Sequence, residues 1–145
     1  MSVDFQAYLD AKFPLDERSL NRDVRALFEA LLGERAAARL LDIGAGTGAS
    51  LDRLLALPGP ARLEVTFVDR DGELLDLARR RAEPKLAAAG FAVGADREPL
   101  QARRATQTLT LAYRAADLGD YRPAATGHWD GIIAHALMDL LPPGR

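Results

Sequence analysis

The sequence predicts an α/β fold in which helices flank a mostly parallel sheet. Four short runs of apolar or β-branched residues have the length and composition of strands, and they lie at 40–43, 63–68, 108–113 and 129–134. Helical apolar patterns follow the first two runs. Strands that alternate with helices are typical of a parallel sheet, so we expect the four runs to pair in parallel.

The N-terminal 36 residues predict a helical segment. A weak helical pattern covers 3–13, and Pro14 is expected to break it. The next helix should pack through one face and stop at Gly33, because apolar residues recur at intervals of three and four. These residues are Leu20, Val24, Leu27, Phe28, Leu31 and Leu32.

Two further helices and one irregular segment are expected between the strands. The first helix follows the glycines after residue 43 and extends to Pro58, and the second ends or kinks at Pro84. Residues 91–107 have no clear period and are rich in glycine, proline and arginine, so they predict an irregular connection.

Length and composition restrict the class of protein. A chain of 145 residues with 48% hydrophobic composition accommodates one domain, which we divide into a helical cap at 1–36 and an αβ core at 37–145. The net charge of −2 argues against nucleic acid or an anionic membrane as a partner. Because cysteine is absent, no thiolate metal site is expected. No targeting or membrane-spanning segment is recognised, so the expected location is cytoplasmic.

A glycine-rich turn is the main candidate for a binding site. Residues 42–48 read DIGAGTG, with three glycines between a predicted strand and a predicted helix. Glycine lets the backbone turn sharply and approach a ligand without a Cβ in the way. The spacing of Gly44, Gly46 and Ala49 also satisfies the dinucleotide fingerprint, so spacing alone does not choose between ligands, and a turn without a ligand is the structural alternative.

The charge next to the turn favours one ligand class. Asp42 precedes the first glycine by two residues, where a pyrophosphate would meet a second negative charge. S-adenosylmethionine has no phosphate and carries an ammonium and a sulfonium, which a carboxylate attracts. Asp69, at the end of the second predicted strand, is suited to accept hydrogen bonds from the ribose of either ligand.

The chain resembles the class I (Rossmann-like) S-adenosylmethionine-dependent methyltransferases through residues 41–48, 67–69 and 116–118. The resemblance implies a Rossmann-like sheet in the family strand order 3-2-1-4-5-7-6. It also implies that the turn holds the methionine part of the cofactor, Asp69 the ribose, and Asp117 with Leu118 the adenine. The predicted cofactor-binding residues are Asp42, Gly44, Ala45, Gly46, Gly48, Asp69, Arg70, Asp117, Leu118 and Ala134.

The methyl acceptor is expected to meet residues that follow the fourth predicted strand. The resemblance implies that His135 or Asp139 orients or deprotonates it. A histidine with an ordinary pKa of about 6.5 is suited to take a proton near neutral pH. The alternative for His135 is a structural hydrogen bond at a strand end.

The family sheet has seven strands, and this sequence ends after the fourth, which predicts a truncated domain with an exposed fourth strand. The expected function is S-adenosylmethionine-dependent methyl transfer to a small-molecule acceptor, in an oligomeric state that the sequence leaves open. A noncatalytic S-adenosylmethionine-binding module or a truncated pseudoenzyme is the alternative from another class. An NAD-dependent oxidoreductase is the rival among enzymes.

Overall fold

The computed structural model describes residues 3–94, 97–122 and 127–135, in which four helices and six strands follow one another. The helices are α1 (Val3–Ser19), α2 (Arg22–Gly33), α3 (Ser50–Leu55) and α4 (Gly72–Ala88). The strands are β1 (Ala37–Ile43), β2 (Arg62–Asp69), β3 (Ala92–Val93), β4 (Leu100–Arg104), β5 (Gln107–Ala115) and β6 (Gly131–Ala134).

The strands form one mixed sheet in the order β3-β4-β5-β2-β1-β6. Pairing is parallel among β5, β2, β1 and β6. It is antiparallel between β3 and β4 and between β4 and β5. The four parallel strands are the four that the sequence predicts, which confirms the α/β fold. Because their carboxyl ends lie at one edge of the sheet, the loops that follow them meet there.

The prediction of an irregular connection at 91–107 is wrong, since β3, β4 and the start of β5 lie there. Leu100 and Ala102 of β4 are buried, whereas Gln101 and Arg103 are exposed. The strand therefore alternates as a half-buried strand should, but a small alanine at the second inward position and Arg104 at the third hide the apolar period. The described sheet consequently has six strands and not four.

The prediction that Pro14 breaks the first helix is wrong, because α1 continues through it, and α4 also continues through Pro84 and does not end there. Proline removes one backbone hydrogen bond, and tertiary contacts on both sides can outweigh this loss. Pro84 is exposed between the buried Ala82 and Leu86, which hold α4 against the sheet. α3 is shorter than predicted and ends at Leu55.

The prediction that α2 packs through one continuous apolar face is only partly correct. The helix begins after an N-cap at Asn21, whose side-chain oxygen accepts hydrogen bonds from two backbone N–H groups, and it ends at Gly33 as expected. Leu32 is buried. Val24, Leu27 and Leu31 remain 65%, 63% and 50% exposed, because no described element covers that part of the helix.

The core lies between the central strands and the helices α3 and α4. Its largest fully buried side chains come from the strands and from both helices, and each contributes about 1.5–3 kcal/mol by leaving water. They are Phe67, Leu40, Leu51, Leu86, Leu111, Val65 and Val68. This core fixes the central strands, and with them the edge at which their loops meet. None of the described helices is both long and apolar enough to cross a membrane.

Candidate functional site

The predicted site residues meet at the carboxyl edge of the four parallel strands. Ile43 at the end of β1 pairs with Val68 of β2 on one side and with Ala134 of β6 on the other. Asp69 at the end of β2 pairs with Ala115 at the end of β5. The glycine turn and the residues that follow β2, β5 and β6 therefore come together, although they are up to about 90 residues apart in the sequence.

Three glycines give the turn a backbone that other residues rarely adopt. Gly44, Gly46 and Gly48 have φ angles of 67°, 52° and 76°. A Cβ on Gly48 would lie 2.9 Å from the Cβ of Ala78 in α4, which is closer than van der Waals contact permits. Glycine is therefore required at Gly48 for close helix packing as well as for its conformation.

The backbone N–H groups of the turn are hydrogen-bonded inside the protein. Those of Gly44 and Ala45 donate to the carbonyl oxygen of Val68 at 2.8 and 3.1 Å, and that of Gly48 donates to the carbonyl oxygen of Ala45 at 2.9 Å. The Gly46 N–H donates to Asp69 Oδ2 at 2.8 Å. These donors therefore do not form an open cradle for a phosphate.

Asp42 is a buried carboxyl beneath the turn, with a side chain that accepts a hydrogen bond from the hydroxyl of Ser50 at the start of α3. Only 2% of the residue is exposed. Burial is the main reason that the pKa of Asp42 rises to about 7; the hydrogen bond from Ser50 and the positive charge of Arg53 oppose this rise, and the negative charge of Asp69 adds to it. A cation placed nearby would favour the ionised carboxylate.

Asp69 joins the turn to the loop after β2. One carboxylate oxygen accepts from Gly46, and the other accepts from the backbone N–H of Asp71 at 2.9 Å. Asp71 in turn caps α4, since its side chain accepts from the N–H groups of residues 73 and 74. The neighbouring Arg70 is exposed. Asp69 therefore holds the turn in place and is half-buried at the position predicted for ribose binding.

Asp117 and Leu118 follow β5 in a tight turn. Asp117 is exposed, and its Oδ1 accepts a hydrogen bond from the N–H of Gly119 at 2.8 Å. Leu118 is half-buried beside it. A carboxylate and an apolar side chain therefore stand together at the outer end of the site, and their predicted role in adenine binding stays a prediction.

His135 directly follows β6, next to Ala134, and lines a cavity between α2, α3 and β6. Desolvation lowers the pKa of the His135 imidazole below its ordinary value, and the positive charge of Arg53 lowers it further, whereas Glu17 and Asp16 act in the opposite direction. The neutral imidazole consequently predominates near pH 7. Asp139, the other predicted catalytic residue, lies outside the described residues.

Helix α1, which belongs to the predicted helical cap at 1–36, lies over the glycine turn. Leu9 Cδ1 is 3.9 Å from the position of a Cβ on Gly46. Asp10 pairs with Arg81 of α4 through two contacts of 2.7 and 2.8 Å, and Glu17 pairs with Arg53 of α3. These ion pairs lie on both sides of Pro14 and connect the two halves of α1 to α4 and α3.

Ser50 and Arg53 were not among the predicted site residues. They lie on the side of α3 that faces the predicted site and interact with Asp42 and Glu17. The sequence offers a weak signal for Ser50 only, as a small polar residue at the start of the helix that follows the turn. Within the described ranges, no cluster of three His, Asp or Glu side chains is arranged to hold a metal ion.

The order β5-β2-β1-β6 equals the order 3-2-1-4 that the sequence resemblance implies, and the glycine turn follows the strand equivalent to strand 1. The chain has a Rossmann-like fold, as class I methyltransferases do. The antiparallel β3 and β4 extend this Rossmann-like sheet beyond the strand equivalent to strand 3.

Comparisons of sequence and of structure find known proteins that are similar to this chain. Non-reducing polyketide synthase dpmpA from Macrophomina phaseolina (strain MS6) is 41% identical over 81 residues, which cover 51% of this chain and 4% of that protein. A SAM-dependent methyltransferase from Thiobacillus denitrificans, crystallised with S-adenosyl-L-homocysteine, is 19% identical with a TM-score of 0.46, over 84% of this chain and 42% of that one.

YjhP from E. coli is 22% identical with a TM-score of 0.32, over 50% of this chain and 31% of that one. No family model matches the chain. The chain spans less than half the length of each of these three proteins. Both TM-scores are below 0.5. The strand order and the position of the turn after β1 define the Rossmann-like fold.

Proposed function

We propose that the chain binds S-adenosylmethionine at the carboxyl edge of its sheet and transfers the methyl group to a small-molecule acceptor. The glycine turn is the observation that carries this proposal. Four of its N–H groups are hydrogen-bonded within the protein, and the carboxyl groups of Asp42 and Asp69 lie next to it.

This arrangement supports a cationic ligand over a dinucleotide. A pyrophosphate needs free N–H donors and no negative charge nearby, whereas four donors of the turn are occupied and two carboxyl groups lie beside it. A ligand with an ammonium and a sulfonium instead gains attraction from Asp42, whose ionised form it would stabilise. The NAD-dependent alternative is therefore disfavoured on two independent grounds, the occupied donors and the carboxyl groups.

The roles of the residues follow from their positions in the fold. Asp42 would attract the positive charges of the cofactor, and Asp69 would accept hydrogen bonds from ribose hydroxyls. Asp117 and Leu118 would contact the adenine. Helix α1 would limit the access of water, because its Leu9 side chain lies over Gly46. His135 would accept a proton from the acceptor, since its neutral form predominates near pH 7.

When bound, the cofactor supplies an activated methyl group for in-line displacement. The contribution of the chain is to hold the acceptor within near-attack distance and to remove its proton, so no covalent protein intermediate is required. Among the residues above, we assign the proton transfer to His135 and the positioning of the cofactor to Asp42 and Asp69.

Calorimetric titration of the full chain with S-adenosylmethionine, and separately with NAD, tests this proposal. We expect micromolar binding of S-adenosylmethionine and none of NAD. Asp42→Asn should weaken that binding by about tenfold or more, because a charge-assisted contact is lost. Asp76→Asn is the matched control, since it removes an exposed carboxylate on α4, and it should leave the affinity unchanged.

Preferential binding of NAD would contradict the proposed cofactor. An Asp42→Asn variant that binds S-adenosylmethionine as tightly as the original chain would contradict the assigned role of Asp42. Formation of S-adenosylhomocysteine with an added acceptor, measured by mass spectrometry, distinguishes a catalyst from a module that only binds the cofactor.

A further inference from the structure

A cavity of about 280 Å³ lies between α2, α3 and β6, close to the lower end of the range for small-molecule sites. Its walls are mainly apolar. They include Leu20, Val24, Phe28, Leu54, Leu57 and Ile133. Phe28 also lies near Gly131, so α2 leans against the beginning of β6 at one end of this space.

The cavity adjoins the predicted cofactor site. Ser50, which donates its hydroxyl hydrogen to Asp42, lines it, and so do Ala134 and His135 at the end of β6. A molecule in the cavity can therefore present one atom to the carboxyl edge of the sheet while its body remains among the apolar side chains.

The charged groups of the cavity favour a ligand without net charge. Arg53 is paired with Glu17, and Arg25 is paired with Glu29 at 2.7 Å, so both cations already have carboxylate partners. An anionic ligand would compete with those carboxylates, and a cationic ligand would meet two arginines. The neutral imidazole of His135 is suited to accept a hydrogen bond from a hydroxyl group.

We propose that this cavity is the acceptor site and that the acceptor is a neutral aromatic molecule with a hydroxyl group, a phenol. Apolar walls that include a phenylalanine ring match a flat aromatic body, and His135 matches its single polar group. The proposal rests on the function proposed above. If the cavity binds the acceptor, the side chains of α2 that line it determine which acceptors fit.

The phenol fits the chemistry of this histidine. A phenol, with a pKa near 10, loses its proton far more readily than an aliphatic alcohol does, so a weak base such as His135 can assist. The phenolic oxygen forms a bond to the methyl carbon as the bond from that carbon to sulfur breaks. The sulfur keeps the electron pair of the broken bond, and the phenolic proton passes to the His135 imidazole and then to water.

Fluorescence titration of the full chain with naphthol tests the cavity, and calorimetry with S-adenosylhomocysteine tests the cofactor site. Val24→Trp places a large side chain in the cavity from an exposed position, and Leu27→Trp adds the same side chain elsewhere on α2. We expect Val24→Trp to weaken naphthol binding by about tenfold or more, because the added volume occupies its space. S-adenosylhomocysteine binding should be unchanged in both variants, and naphthol binding should be unchanged in Leu27→Trp.

The failures of the two proposals can be distinguished. Binding of S-adenosylhomocysteine without binding of naphthol, or equal naphthol binding by Val24→Trp and the original chain, would overturn the acceptor site alone. Binding of naphthol without S-adenosylhomocysteine would overturn the proposed function and, with it, the role of the cavity as an acceptor site. Mass spectrometry should detect the methyl ether of naphthol, and His135→Gln should lower kcat by about a hundredfold with naphthol affinity nearly unchanged. An equal kcat in that variant would overturn the role of His135.

Discussion

The buried carboxyl of Asp42 should make the protein less stable as pH rises. In the folded state the pKa of Asp42 is about 7, whereas its ordinary value is 3.8. Below about pH 4 the side chain is protonated in both the folded and the unfolded states. Between these two values the unfolded state loses the proton and the folded state keeps it, so the unfolded state binds fewer protons and stability falls as pH rises.

The expected size of this effect follows from the difference between the two pKa values. Each tenfold change in an equilibrium constant corresponds to about 1.4 kcal/mol, so the loss of stability approaches about 4 kcal/mol above pH 7. Asp42→Asn removes the titration and preserves the shape of the side chain and an acceptor for Ser50. The variant should therefore have a stability advantage that is small near pH 4 and grows toward about 4 kcal/mol near pH 8.

Urea unfolding followed by circular dichroism at about pH 4, 6 and 8 measures this difference. Asp76→Asn is the control, because the carboxylate of Asp76 is exposed. The stability of this variant should follow that of the original chain at each pH. A difference between Asp42→Asn and the original chain that does not change with pH would refute the reasoning. So would an advantage that is largest at low pH.

Three further outcomes are expected. The affinity for S-adenosylmethionine should fall by about tenfold in calorimetry between pH 8 and pH 6, because Asp42 becomes protonated, and Asp42→Asn should lose most of this dependence. Gly48→Ala should lower the free energy of unfolding in urea by about 2–4 kcal/mol, because the φ of this residue is positive and the added Cβ would collide with Ala78. Gly33→Ala is the control, and it should be neutral or slightly stabilising because there is open space around Gly33. Leu40→Ala should cost about 2–5 kcal/mol in the same assay, since Leu40 is fully buried in the core.

The sequence determined the parallel part of the sheet and the location of the turn. Runs of apolar and β-branched residues, interrupted by glycines and prolines, predict β1, β2, β5 and β6 because a buried parallel strand needs that composition. The order of Asp42, the glycines and Asp69 predicts the candidate site because strand ends and glycine conformations are local properties.

Only the tertiary structure decided the remaining features. α1 continues through Pro14, and on both sides of this residue it is paired with arginines that are distant in the sequence, Arg81 and Arg53. β4 pairs with β3 and β5, which supply its backbone hydrogen bonds. Its weak apolar period does not indicate a strand. The burial that raises the pKa of Asp42 and the cavity beside His135 both depend on where α2 and α3 pack. Local patterns report what a segment prefers, whereas desolvation, cavities and ion pairs depend on which segments become neighbours.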